Sequence, residues 1–290
     1  MITSVATRLY LLLALHSKII LDGSGRHSKG RTVTVSLRGI RFAYSDEGSG
    51  PVVLTAHGLC GSRASERRAN LTDYSVVTSA GRRLISYDAR GHGESEGTGD
   101  PADYSWKSLG EDMSELARHF SPAAPVSAIG CSMGTGALLH AVTTDPECFD
   151  RLILTAPPTA WEARAAQGHV YRQLADYAQQ KGVEALVKVL ANAPVPAVFA
   201  EVEGFPPTPD VTAELLPTVL LGAGISDLPP LDAIARITQP TLILAWAGDP
   251  GHPVSLSETL AAAIPGSVLH VSETRADLGT WGERAADFLK

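Results

Sequence analysis

Cysteine is scarce in this chain, and what there is does not pair. Cys60, Cys131 and Cys148 are an odd number scattered over 290 residues, which is no disulfide framework and implies a reducing compartment, hence an expected cytoplasmic location. Basic clusters are missing as well. With a formal net charge of −7 and no Lys/Arg run resembling a phosphate-tracking patch, a nucleic-acid surface is excluded and a small molecule is the expected partner. The nine histidines nowhere fall at metal-ligand spacing with one another or with cysteine, so no metal is expected. The stretch "DGSGRHSKG" starts as a glycine-rich fingerprint but lacks the third glycine and a preceding strand, so no nucleotide cofactor is expected.

Long apolar runs are absent too. The uninterrupted run Leu9 to Leu15 is far short of the roughly 20 residues that span a bilayer, and no small-x-small cleavage signature follows it. Residues 1–30 read as an extra helix or a poorly ordered extension, with "DGSGRHSKGR" as a linker, and no membrane association is expected.

From residue 31 the chain is rich in short, β-branched apolar runs: "TVTVSL", "IRFAYS", "PVVLTAH", "RLISYDA", "VSAIGCS", "RLILTAP", "PTLILAWAG" and "SVLHVSE". Helical spacing separates most of the later ones. Leu109, Met113, Leu116 and Phe120 form one apolar stripe, and Leu278, Trp281, Ala285 and Phe288 form another. Ser255 and Glu258 have capping-box spacing, which predicts a helix start after "LILAWAG". Continuous apolar strands with amphipathic crossovers predict an α/β fold, a mostly parallel eight-stranded sheet with helices on both faces. The first two or three runs, joined by short turns such as "DEGSGP", are expected to be antiparallel.

Between "RLILTAP" and "PTLILAWAG" lie about eighty residues without a strand pattern, with helical periodicity around Leu174, Tyr177, Leu186, Val187 and Leu190. The predicted organisation is a core of residues 31–158 and 238–290 with an inserted helical cap of residues 159–237. Caps of this kind lie over sites and set substrate choice.

Gly130-Cys131-Ser132-Met133-Gly134 matches G-x-S-x-G with a strand before it and a helix after it, the context in which that motif is a nucleophile elbow. Such a turn is sterically tight, which is why glycines flank it. Ser132 then stands at the carboxyl end of a parallel strand, where open α/β sheets bind ligands.

From residue 38 to the C-terminus the chain resembles the α/β-hydrolase superfamily. The likeness is carried, in the family's order, by "VVLTAHGLCGS", "YDARGHGES", "GCSMGTG" and "LILAWAGDPGHPVS". It implies Ser132 as nucleophile, the backbone amides of Leu59 and Met133 as oxyanion donors, and Asp249 as the acid that orients a base. A turn or capping role is the other reading of Asp249.

The likeness also implies a base histidine after the last strand, but "ETRADLGTWGERAADFLK" contains none. His270 lies within the strand itself and reads as a satisfied or surface residue. His252, three residues past Asp249, is the best substitute, with a structural Pro-Gly-His-Pro turn as its other reading. His169 is a further candidate from the cap, whereas His92 belongs to a turn that is usually structural in the resembling family and His57 to the oxyanion loop. Losing the base of a serine protease lowers kcat about a millionfold, so its identity decides whether Ser132 can work.

Three functional classes follow: a serine-dependent hydrolase of a small ester, thioester or lactone working through an acyl-enzyme with a non-standard base; a non-hydrolytic enzyme that polarises a carbonyl; and a catalytically silent binding protein. The first is favoured because a silent site has no chemical need for both an elbow serine and an acid-loop aspartate.

Overall fold

In a computed structural model, residues 33–192, 199, 202 and 208–290 are described. The predicted extension over residues 1–30 therefore falls outside the described residues, as does most of the Pro-rich stretch after residue 192.

Eight strands form one sheet: β1 (Val33–Leu37), β2 (Ile40–Gly48), β3 (Val52–Ala56), β4 (Arg83–Tyr87), β5 (Val126–Cys131), β6 (Phe149–Thr155), β7 (Thr241–Trp246) and β8 (Val268–Ser272). Their spatial order is β1-β2-β4-β3-β5-β6-β7-β8. The expected antiparallel start holds for β1 and β2, which pair across the tight Arg38-Gly39 turn. It does not extend to β3. That strand runs parallel to both β4 and β5, while β2 pairs antiparallel with β4, so the "DEGSGP" turn carries the chain past β4's position instead of closing a hairpin.

The alternation of side chains along the inner strands divides the core in two. Leu54, Ala128, Leu152 and Ile243 join the cluster on one face, whereas Val53, Ile129, Ile153 and Leu242 join that on the other. Both faces are covered, which is why β3, β5 and β7 place apolar residues at successive positions instead of alternating them with exposed polar ones. Only the edges are wetter: Val33 on β1 and Val268 on β8 are half exposed.

Helix α1 (Arg63–Ala69) follows β3, and a short α2 (Val76–Ser79) precedes β4. Helix α3 (Trp106–Phe120) buries its Leu109, Met113, Leu116 and Phe120 stripe, and its first turn is capped by Ser105, whose hydroxyl accepts from the Ser108 amide. Helix α4 (Met133–Thr144) leaves directly from β5. Between β6 and β7 lie α5 (Trp161–Lys181), α6 (Val183–Ala191), α7 (Leu216–Gly224) and the short α8 (Leu231–Ile234). Helices α5 and α7 pack with almost no gap, since a Cβ at Gly168 would stand 2.5 Å from the Gly224 carbonyl oxygen.

Two expectations near the C-terminus need correction. Ser255 does not cap α9 (Val254–Ala263); Pro253 is the N-cap, its ring already holding the φ of −67° from which a helix can start, so Ser255 lies inside the first turn. The stripe from Leu278 to Phe288 belongs to two helices, α10 (Arg275–Leu278) and α11 (Trp281–Phe288), separated at Gly279 and Thr280. No described helix is long and apolar enough to cross a membrane.

Candidate active site

The strand β5 ends at Cys131 and α4 begins at Met133, leaving Ser132 alone between them with φ 50° and ψ −107°. A non-glycine residue there costs about 1–3 kcal/mol, so the surroundings must hold it. They do so from several sides. The Ser132 amide donates to the Thr155 carbonyl at 3.0 Å, and its carbonyl accepts from Gly136 at 3.0 Å. Behind the turn, the Thr135 hydroxyl donates to the carbonyls of Gly130 and Thr155, and the Thr155 hydroxyl donates to Gly130 as well. The flanking glycines are a steric demand. A Cβ at Gly130 would lie 2.4 Å from the Gly134 carbonyl oxygen, and one at Gly134 would lie 2.3 Å from that of Ala56.

Ser132 Oγ is 2.8 Å from His252 Nε2, and His252 Nδ1 is 2.8 Å from Asp249 Oδ2. The three side chains therefore form one chain of hydrogen bonds, and each residue is buried, with the serine 8 % exposed. Asp249 and His252 sit on the turn between β7 and α9, closed by the His252 amide donating to the Asp249 carbonyl at 3.1 Å. The carboxylate determines the tautomer: it accepts from Nδ1–H, which leaves Nε2 bare to accept the serine hydroxyl proton.

Asp249 is held by more than its histidine. Oδ2 also accepts from the Trp246 indole at 3.0 Å, and Oδ1 accepts from the Gly251 amide at 2.8 Å. Burial by itself would raise this carboxyl's pKa, but the charge and hydrogen bond of His252, with the donors from Gly251 and Trp246, outweigh it and keep the group below the usual carboxylate range.

Of the two amides expected to face an oxyanion, Met133's belongs to the first residue of α4, so no carbonyl of its own helix can accept from it. Leu59 lies in the loop after β3, whose shape depends on His57. The imidazole Nε2 accepts from the Ala89 amide at 2.9 Å, so Nδ1 carries the proton and donates to the Gly58 carbonyl at 2.8 Å. Burial lowers the pKa of His57 and pushes that of the adjacent His92 down to about 3, so both rings are neutral braces.

The remaining histidines lie elsewhere. His169 is exposed on α5, and the imidazole bonded to Ser132 is that of His252. His270 Nε2 is bonded to the Asp277 carboxylate at 2.9 Å, the satisfied strand residue that its position suggested. Cys60, Cys131 and Cys148 are free thiols, and burial pushes Cys60 up to about 12. Among the described residues, no group of three or more His, Cys, Asp or Glu side chains could hold a metal ion.

Sequence reasoning missed Trp246 and the Thr135–Thr155 brace. Trp246 closes an apolar strand and is 2 % exposed, so in sequence it looks like any core aromatic; its indole N–H, which must find an acceptor when buried, was the available signal.

Residues 51–181 match the family model described as the alpha/beta hydrolase fold. A lysophosphatidylserine lipase from Danio rerio is 32% identical over 124 residues, which cover 41% of this chain and 31% of the lipase. The chain thus spans about a third of that relative's length. A hydrolase from Pseudomonas aeruginosa has a TM-score of 0.70 at 21% identity, covering 90% of this chain and 98% of its own. A thermophilic esterase from Thermogutta terrifontis has a TM-score of 0.67 at 20% identity, covering 89% and 95%. The described chain shares the α/β-hydrolase fold with these proteins.

Proposed function

We propose that the protein is a serine-dependent hydrolase of a small ester, thioester or lactone, with Ser132 as nucleophile, His252 as base and Asp249 as the orienting acid. The observation that carries this reading is the unbroken bond path from Ser132 Oγ through His252 to Asp249.

In the proposed reaction His252 Nε2 takes the hydroxyl proton as Oγ bonds to the substrate's carbonyl carbon. The resulting oxyanion faces the amides of Met133 and Leu59, each such donor contributing about 3 kcal/mol in a well-aligned site. Collapse expels the alkoxide or thiolate, which leaves with the proton from His252, and the acyl group stays on Ser132. Water then gives a proton to His252 and attacks the acyl carbon, releasing the acid and restoring the serine. In a lactone the leaving oxygen remains tethered, and the product is one hydroxy acid. The Pseudomonas aeruginosa hydrolase and the Thermogutta terrifontis esterase, which share the fold, support the chemistry at the level of class.

Helices α5 to α8, within residues 159–237, serve in this reading as a cap on the core. The three free thiols support a reducing compartment such as the cytoplasm.

A fluorophosphonate tests the mechanism. It reacts covalently with wild type, fails on Ser132→Ala, and reacts at least a thousandfold more slowly with His252→Ala. Labelling of His252→Ala at the wild-type rate would remove His252 from the mechanism.

A further inference from the structure

The turn that carries the expected oxyanion donor Leu59 is held in a conformation its own residues do not favour. The Gly61 amide donates to the Gly58 carbonyl at 3.0 Å, which makes Gly58 to Gly61 a four-residue turn with Leu59 and Cys60 at its centre. Cys60 has a φ of 61°, the left-handed region that glycine or asparagine normally fills at the third place of such a turn. A cysteine is strained there, so the conformation depends on what surrounds it. The Leu59 amide, one residue before, donates to no backbone carbonyl among the described residues.

One residue from the segment between β6 and β7 meets this turn at several points. The Asp210 amide donates to the Cys60 carbonyl at 2.8 Å, and the Asp210 carbonyl accepts from the Gly93 amide, also at 2.8 Å. Its carboxylate accepts from the hydroxyl of Ser62, the residue that caps α1, and lies 3.6 Å from the guanidinium of Arg68 on that helix. The same charge reaches His57, whose ring braces the loop through the Gly58 carbonyl. From the first helix of the inserted segment, α5, Tyr171 also lies near Cys60.

The start of α1 does not need these bonds. Ser62 accepts from the Ser65 amide at 3.0 Å and the Ser65 hydroxyl accepts from the Ser62 amide at 2.6 Å, a complete capping box without Asp210. What Asp210 adds is a hold on both sides of the strained residue, at the Cys60 carbonyl and at Ser62 two residues on. A swing of Cys60 out of the left-handed region would turn its carbonyl away from the Asp210 amide and reshape the turn around Leu59.

We propose that Asp210 is a positioning residue for the oxyanion turn: its contacts with Cys60 and Ser62 hold the turn in the form that presents the Leu59 amide, so the donor pair is complete only when the segment between β6 and β7 is seated on the core. The effect on rate rests on the hydrolase reading; the effect on the shape of the turn does not. An oxyanion donor counts only when it is aimed where charge develops, and removing one lowers kcat about 10²–10³-fold. A turn released from Asp210 presents the amide part of the time and loses part of that factor.

Asp210→Ala removes the carboxylate and leaves the backbone bonds in place, and its side chain is 35 % exposed, so the truncation opens no core cavity. It is expected to lower kcat on 4-nitrophenyl acetate about tenfold with KM within about twofold, since the oxyanion exists only after attack. Asp210→Asn, which still offers Ser62 an oxygen, recovers most of that loss. The decisive background is Cys60→Gly. Glycine takes a φ of 61° without strain, so there Asp210→Ala costs less than about threefold. A loss of equal size in both backgrounds, a change confined to KM, or no loss at all overturns the proposal. Hydrogen exchange at the Gly61 amide reads the turn with no substrate present, and it is expected to speed up about tenfold in Asp210→Ala but not in Asp210→Asn. Faster exchange in a protein that cleaves no ester upholds the hold on the turn and defeats the hydrolase; unchanged exchange in a protein that cleaves the ester does the reverse.

Discussion

Asp249 and His252 are joined twice, through the side chains at 2.8 Å and through the backbone at 3.1 Å. Acid and base thus share one four-residue turn, and the geometry of the pair depends on local backbone structure more than on the docking of distant segments. In the proposed mechanism, replacing the base removes the proton acceptor outright. His252→Ala is expected to lose about four to six orders of magnitude in kcat, and Asp249→Asn about four, because an amide facing Nδ1 favours the wrong tautomer. Stopped assays on a 4-nitrophenyl ester measure both.

Trp246→Phe probes the acid separately. The phenyl ring keeps most of the packing against Trp281, whose ring stacks at 5.4 Å, but no longer donates to Asp249. A hydrogen bond to a charged group contributes about 1.5–3 kcal/mol. The expected result is a roughly tenfold or greater loss of activity.

Acid stability follows from the same carboxylate. The folded-state pKa of Asp249 lies below the ordinary value of about 3.9, so the unfolded chain binds the proton more readily. Its contribution is complete above the unfolded value and is lost as pH falls through the folded one. Between about pH 5 and pH 2 the urea midpoint of wild type should therefore drop more steeply than that of Asp249→Asn, which has no such proton to bind. Parallel curves would remove this contribution.

Gly134→Ala tests the elbow without touching a reacting group. The added methyl meets the Ala56 carbonyl oxygen at 2.3 Å, a contact backbone cannot relieve cheaply. Overpacking of this order costs about 1–3 kcal/mol, measurable as a lower urea midpoint, with activity falling as β3 and α4 separate.

Much of this arrangement could be read in the sequence, for reasons that differ from element to element. β5 and β7 were visible because a strand buried on both faces has no polar side to interrupt it, and the elbow because its glycines are a steric requirement. The proximity of Asp249 and His252 followed from their spacing, but the direction of the imidazole did not, since a turn's residue order does not say where its side chains point. The placement of β3 beside β5 depended on tertiary pairing, and the capping-box spacing at Ser255 was overridden by a proline that begins the helix two residues earlier.

With acid and base on the β7 turn, β8 and the two helices after it carry no reacting group in the proposed mechanism. His270 there is engaged with Asp277 and Trp281 donates to Ser272, so this terminal stretch acts as a buttress on the sheet's edge. Replacements on the exposed positions of β8, such as Val268, should register in melting temperature and leave turnover largely intact.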